Sequence, residues 1–381
     1  MKKNTEIIIC GDLCPTLDTI EYFESEDSQG LFNDLIPVFK KGSLVIGNLE
    51  FVLTDSPKAI LKAGPILHGK TNYIKTLKKA GIQTVSLANN HIKDCGEAGV
   101  LSTINSCNEN NIDCFGAGKN LTEAKKPYVK VVNGYKIGFI SYAEQEFNTA
   151  TDKGYGASYL DPYEDYDKIN TFKKEVDYLV VLYHGGIEYY EYPSPLLQKK
   201  CRKFIEKGAD LVTCQHSHCI GTLENYNEGS ILYGQGNTLF GYREGNDSWN
   251  QGLLIKLIFN DQLEKPELEL IPIHATKKGI RCMEKTKGSE LLERVYDIST
   301  NITNALYIER KWIEFCSTKK ALYMPYLFGF GRYFIPLNRI LKNKLVAVFY
   351  SNRAIRTSHN TIRCESHNEV IHTILNNIKS K

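Results

Sequence analysis

Four of the nine histidines in this chain stand directly after apolar, strand-like runs: His91 in SLANNH, His184 in LVVLYHGG, and His216 with His218 in LVTCQHSH. Asp12, Asn48, Glu50, Asn89 and Asn90 occupy similar strand-terminal positions. Gathering so many polar groups at the ends of buried strands is costly unless something compensates them. A divalent cation is the partner that imidazole and carboxylate jointly suit, so the chemistry these residues point to is metal-assisted hydrolysis. The spacing His216-x-His218 predicts two imidazoles on one side of an extended segment, because alternate residues of a strand share a face. Gly11-Asp12 and Gly47-Asn48-Leu49-Glu50 each add a glycine exit that leads to a carboxylate. His68, His274, His359, His367 and His372 lack a strand-end setting and are assigned ordinary surface or core roles.

Such a cluster needs rigid elements behind it. The apolar runs Ile7–Cys10, Leu44–Ile46, Thr84–Leu87, Leu179–Leu182 and Leu211–Thr213 read as buried strands, and each delivers a polar cluster near its C-terminal end. Ligands of α/β sheets gather beyond the carboxyl ends of strands, so five strands aim at one place. Residues 96–111, 165–176 and 194–207 have the spacing of covering helices. Asn133-Gly134 between β-rich runs predicts a hairpin over 128–143, and a similar pair flanks Asn260-Asp261 from Leu253 to Ile273. These features predict an α/β domain over residues 1–275. A basic, mainly helical extension follows over 276–381.

Composition sets the outer limits. Hydrophobic residues make up 42% and charged residues 24% of 381 residues, which is an ordinary globular balance. The net charge of +3 conceals an asymmetry: residues 301–381 hold 13 Lys plus Arg against 4 Asp plus Glu, a net of +9. That tail suits an anionic surface or polymer. Basic and aromatic residues do not interleave around the metal motifs, so no nucleic acid partner is expected. The stretch Ala321–Tyr350 is aromatic and apolar, with Tyr323, Tyr326, Phe328, Phe330, Tyr333 and Phe334, but Pro325, Gly329, Gly331, Arg332, Pro336 and Arg339 interrupt it. It is not a transmembrane helix. Eleven cysteines without a CxxC pair read as reduced thiols, and the apolar stretch at Ile7–Ile9 is too short for a signal peptide. The expectation is a cytoplasmic protein, peripheral to the membrane at most.

The ordered set GD, NLE, ANNH, HGG, QHSH and GQGN resembles the PGA-cap or CapA family of poly-γ-glutamate capsule proteins over roughly residues 5–275. SLANNH, the FGAG at 115–118 and GADLVTCQHSH carry the resemblance most sharply. It implies a metallophosphatase-like layered β-sandwich flanked by helices, holding one or two divalent ions of Mn, Zn or Fe. It further implies Asp12, Glu50, Asn90, His184, His216 and His218 as metal ligands, with Asn48 and Glu50 competing for the position that bridges two ions. His91 matches the general acid, and Asn48 and Asn89 match donors or ligand-orienting groups beside it. Cys14 stands where phosphatases of this superfamily commonly have a histidine, and it is either a soft ligand or a small buried hydrophobe.

The function these features imply is a metal-dependent hydrolase acting on a phosphoester or related anionic substrate in capsule or surface-polymer biosynthesis. A second reading, from a different class, is a non-catalytic assembly factor that binds poly-γ-glutamate or polysaccharide. In either case the C-terminal extension would meet a capsule-synthesis membrane enzyme or an anionic membrane surface.

Overall fold

The computed structural model describes residues 4–327, 334–342, 344 and 351–377. Phe328, Phe330 and Tyr333 of the aromatic stretch lie outside the described residues. The chain divides into two compact units, Met1–Glu309 and Arg310–Lys381.

Two large sheets, accompanied by two small two-stranded ones, form the first unit. The strands of the large sheets are, in chain order, β1 (Thr5–Leu13), β2 (Leu44–Leu49), β3 (Thr84–Ser86), β4 (Asp113–Phe115), β5 (Tyr128–Val132), β6 (Tyr135–Ala143) and β7 (Tyr178–His184). There follow β8 (Leu211–Gln215), β9 (Leu223–Tyr226), β10 (Gly229–Leu232), β11 (Asn237–Leu239), β12 (Gln251–Phe259), β13 (Glu267–Thr276) and β14 (Gly279–Cys282). One sheet runs β14-β13-β12-β1-β2-β3-β4, with β11 beside the end of β1. The other runs β9-β10-β8-β7-β6-β5. All five apolar runs singled out in the sequence are parallel strands near the middle of these sheets. The antiparallel partners stand outside them, where the Asn133-Gly134 turn closes β5 onto β6 with both residues in the left-handed region, at φ 50° and 89°.

Strand alternation builds the layers. Ile7, Ile9 and Ile46 from the first sheet meet Phe139, Val180, Leu182 and Leu211 from the second in one inter-sheet core. The alternate residues Ile8, Cys10, Val45 and Val85 face the other way and bury Phe39, Ile74, Leu77 and Val100 of the covering helices. Leu179, Val181 and Val212 do the same against Ile169, Phe172, Leu197 and Phe204. A strand buried on both faces needs such a continuous apolar run, which explains why the five runs show little alternation in sequence. The result is the expected layered β-sandwich flanked by helices.

Compaction does not end where the sequence rhythm changes near residue 276. β14 pairs with β13, and helix Lys285–Ser299 inserts Leu291 and Val295 into the inter-sheet core. The described residues of the second unit form helical segments, with Phe334–Ile340, Asn352–Arg363 and Glu365–Asn377 among them. Among the described residues no helix is long and apolar enough to cross a membrane.

Candidate metal centre

Parallel strands of both sheets end side by side, and their ends carry the predicted residues. Asp12 lies opposite Asn48 on β2 and opposite Asn237 on β11. Glu50 follows β2 directly, the segment Asn89–His91 follows β3, His184 closes β7, and His216 with His218 follows β8. The register of β1 slips between Ile9 and Asp12, where Gly11 crosses Gly236 so closely that a Cβ on Gly11 would stand 2.4 Å from the Gly236 carbonyl oxygen. That crossing turns Asp12 inward.

His216 and His218 do not lie on an extended segment, contrary to the expectation from their spacing. β8 stops at Gln215, and both histidines adopt left-handed backbone conformations, φ 92° for His216 and φ 51° for His218. Non-glycine residues rarely take that conformation, and here the chain turns back on itself to bring the rings together. Part of the hold comes from the His216 backbone N–H, which donates to Asp12 Oδ2 at 3.0 Å. The ring centroids of His216 and His184 are 4.9 Å apart.

Glu50 joins two groups whose ligand atoms all lie within 4.8 Å of one another: Glu50 with His184 and His216, and Asp12 with Glu50 and His218. It is 0% exposed, and neither carboxylate oxygen accepts a hydrogen bond of good geometry, its polar neighbours being the Asp12 carboxyl and the His184 ring. His216 Nδ1 is likewise buried without a partner. Such atoms are rare in folded proteins and call for an explanation. Burial pushes the Glu50 carboxyl well above the usual carboxylate range. Asp12 is pushed up to about 6, first by burial and then by the neighbouring charge of Glu50. On the imidazoles burial acts in the opposite sense, lowering His184 and His218 and lowering His216 furthest. Two desolvated carboxyls facing three neutral imidazoles form the donor set that fits a divalent cation.

Asn48 takes a different place from Glu50. Its amide nitrogen lies 2.7 Å from Asp12 Oδ1 and 3.1 Å from His184 Nδ1, and its oxygen accepts from Asn89 at 3.2 Å. Every polar atom of Asn48 is thus occupied in orienting others. Asn89 also donates to the Leu49 carbonyl, and its oxygen accepts the His91 backbone N–H. Asn90 sends its oxygen to His184 Nε2 at 3.0 Å, beside Glu50 Oε1 at 3.5 Å from the same nitrogen. Cys14 is not in either potential metal group, packs in the apolar cluster and is held as a thiol by burial.

Behind His91 stands a pair that sequence reasoning missed. His91 Nδ1 lies 2.7 Å from Asp94 Oδ2, and the other Asp94 oxygen accepts from Lys62 Nζ at 2.5 Å. Asp94 follows His91 by three residues, a spacing that could have signalled it. Lys62 sits in a long loop with no such signal. Around His218, Asn237 accepts at 2.9 Å from Nδ1, while Phe240 and Trp249 pack with ring centroids at 4.7 Å. Asn237 spends its own amide N–H on the Trp249 carbonyl, so its oxygen is the acceptor for the ring.

The model of the family described as "Bacterial capsule synthesis protein PGA_cap" matches residues 6–242, a span that includes Asp12, Glu50, Asn90, His184, His216 and His218. A capsule biosynthesis protein CapA from Bacillus anthracis is 31% identical over 249 residues, covering 62% of this chain and 61% of that protein. A PGA biosynthesis protein CapA from Bacillus subtilis (strain 168) is 30% identical over 236 residues, 59% of this chain and 61% of that protein. The chain therefore spans less than two thirds of the length of these relatives. Among solved structures, a novel phosphatase from Mycoplasma pneumoniae is 14% identical with a TM-score of 0.46, covering 71% of this chain and 94% of that one.

Proposed function

The chain belongs to the bacterial capsule synthesis PGA_cap family, and from that premise we propose that it is a metal-dependent hydrolase of phosphoesters or related anionic substrates, serving capsule or surface-polymer assembly. The observation that carries this reading is Glu50, whose two buried oxygens accept no hydrogen bond of good geometry yet lie within ligand distance of both histidine groups. In this reading Asp12, Glu50, His184, His216 and His218 hold one or two divalent ions, with Asn90 completing the shell beside His184. When bound, such an ion supplies Lewis acidity and a water acidic enough to lose its proton near neutral pH.

The remaining work falls to the chain itself. Asp94, fixed by Lys62, holds Nδ1 of His91 and leaves the opposite ring nitrogen free, so that His91 in its imidazolium form would give the proton of that nitrogen to a leaving oxygen and return to the neutral ring. Asn48 and Asn89 act as positioning residues, since their amides lock Asp12, His184 and the His91 backbone in place. The proposal includes a cytoplasmic placement peripheral to a membrane. Its support is helix Asn352–Arg363, which carries Arg353, Arg356 and Arg363 together with exposed Ile355 and Ile362.

Metal content and turnover test the proposal together. Wild-type protein reconstituted with Mn or Zn should hold metal by elemental analysis and hydrolyse an aryl phosphate, a phosphodiester or a γ-glutamyl substrate. Glu50→Gln and His216→Ala should lose the metal and all turnover. Full metal and activity in His216→Ala would show the site to be wrong, and stoichiometric metal without turnover on any class would favour the polymer-binding assembly factor.

A further inference from the structure

The wall of the metal centre on the His218 side ends in a cation that forms no ion pair among the described residues, the adjacent Glu244 being turned to Lys277. Arg243 is solvent-exposed, and its guanidinium carbon stands 3.1 Å from the centroid of the Trp249 ring. Trp249 in turn packs on His218, so a single aromatic ring separates the guanidinium from the ligand cluster.

Arg243 is also held unusually firmly for an exposed arginine. Its backbone N–H donates to Asn250 Oδ1 at 2.8 Å, and Asn250 Nδ2 donates back to its carbonyl at 2.7 Å. One guanidinium N–H reaches the Tyr189 hydroxyl at 3.3 Å. Tyr189 lies along Trp249 with ring planes 30° apart and takes a left-handed φ of 60°. The planar cation is therefore fixed by stacking on one face and by a hydroxyl at one edge, with its other N–H groups left for a ligand. An arginine oriented before binding suits an oxyanion, because the fork of N–H groups matches carboxylate or phosphate oxygens and little entropy is lost.

Charge on the other rim gives the direction. Glu144 and Glu146 act on His184, whereas Arg243 acts on His218, so the His184 side of the centre is the acidic one. An anionic substituent is repelled there and attracted to the Arg243 side. We infer that Tyr189, Arg243 and Trp249 form a specificity subsite that binds an oxyanion substituent of the substrate next to the metal centre, and so fixes which way round the substrate lies. This rests on the hydrolase reading for the identity of the ligand as substrate, but the anion binding is measurable by itself.

Trp249 is one of two tryptophans, so a Trp312→Phe background leaves it as the only indole reporter. Its fluorescence is titrated with inorganic phosphate and, separately, with acetate, in metal-loaded and metal-free protein. At least one anion should saturate the signal. Arg243→Gln should weaken that binding tenfold or more with metal content unchanged, and Arg243→Lys should fall between, since it keeps charge but loses the planar fork. The same affinity in Arg243→Gln as in the parent, or no saturable response to either anion, overturns the subsite. A parent that binds no metal yet shows the Arg243-dependent response refutes the metal reading and leaves the subsite standing.

Discussion

Glu50 is buried with neither oxygen in a hydrogen bond of good geometry, beside a second buried carboxyl, Asp12. Holding an ionised carboxylate in such a place costs several kcal/mol without a cation. Its pKa is raised by burial, so the sign of the pH dependence follows directly. A carboxyl that binds its proton more tightly when folded costs stability above its unfolded pKa, about 4.3, and costs nothing below it. Glu50→Gln should therefore stabilise the metal-free protein at pH 8 by about 1–3 kcal/mol, with a smaller gain at pH 5. Urea unfolding in the presence of a chelator at the two pH values measures this, and a destabilised variant would mean that Glu50 is compensated after all. Sequence placed the residue correctly at a strand end but left it in competition with Asn48. Only the hydrogen bonds separate them, because Asn48 spends its amide on Asp12, His184 and Asn89 while Glu50 accepts no hydrogen bond of good geometry. Asp94 was within reach of sequence reasoning through its spacing from His91. Lys62 and Arg243 were not, since Lys62 reaches a residue 32 positions away and the ring under Arg243 meets His218 only in the folded chain.

The elements that matter most are the ends of β1 and the turn after β8. Gly11 is required for contact rather than for φ, since the Gly236 carbonyl occupies the space of a side chain. Gly11→Ala should push β1 away from that carbonyl and displace Asp12, the next residue. The expected cost is about 1–3 kcal/mol from overpacking, together with weakened metal binding. Gly64→Ala is a useful control, because nothing lies within 4 Å of a Cβ there and only its φ of 95° penalises alanine. A melt and a metal titration on both variants check this; equal metal affinity in Gly11→Ala and wild type would remove the glycine from the account. The runs that became β1, β2, β3, β7 and β8 were legible because strands covered on both faces are apolar throughout. The His216–His218 turn was not, because HxH fits an extended segment and a left-handed turn equally well, and the Asp12 contact selects the turn.

At the scale of the whole molecule the charge asymmetry has a testable consequence. Helix Asn352–Arg363 presents Arg353 and Arg356 near exposed Ile355, and helix Glu365–Asn377 exposes Val370, Ile371, Ile374 and Leu375. A basic helix with apolar residues at its surface suits an anionic bilayer, at about 1 kcal/mol for each basic residue near the surface. The full chain should co-sediment with phosphatidylserine-containing vesicles at low salt and far less with neutral ones. Arg353→Glu with Arg356→Glu should lower that partition at least tenfold, and equal binding to neutral and anionic vesicles would exclude an electrostatic dock. The sequence by itself determined the α/β class, the strand ends that carry the polar cluster, the family resemblance and the basic tail, because hydrophobic periodicity, strand-terminal polar residues and charge are read along the chain. Tertiary structure alone decided which polar atoms stay unsatisfied, that Glu50 belongs to both groups that could hold a metal ion, and that Trp249, under Arg243, packs on His218. Those depend on distances between segments far apart in the chain, and no local pattern encodes them.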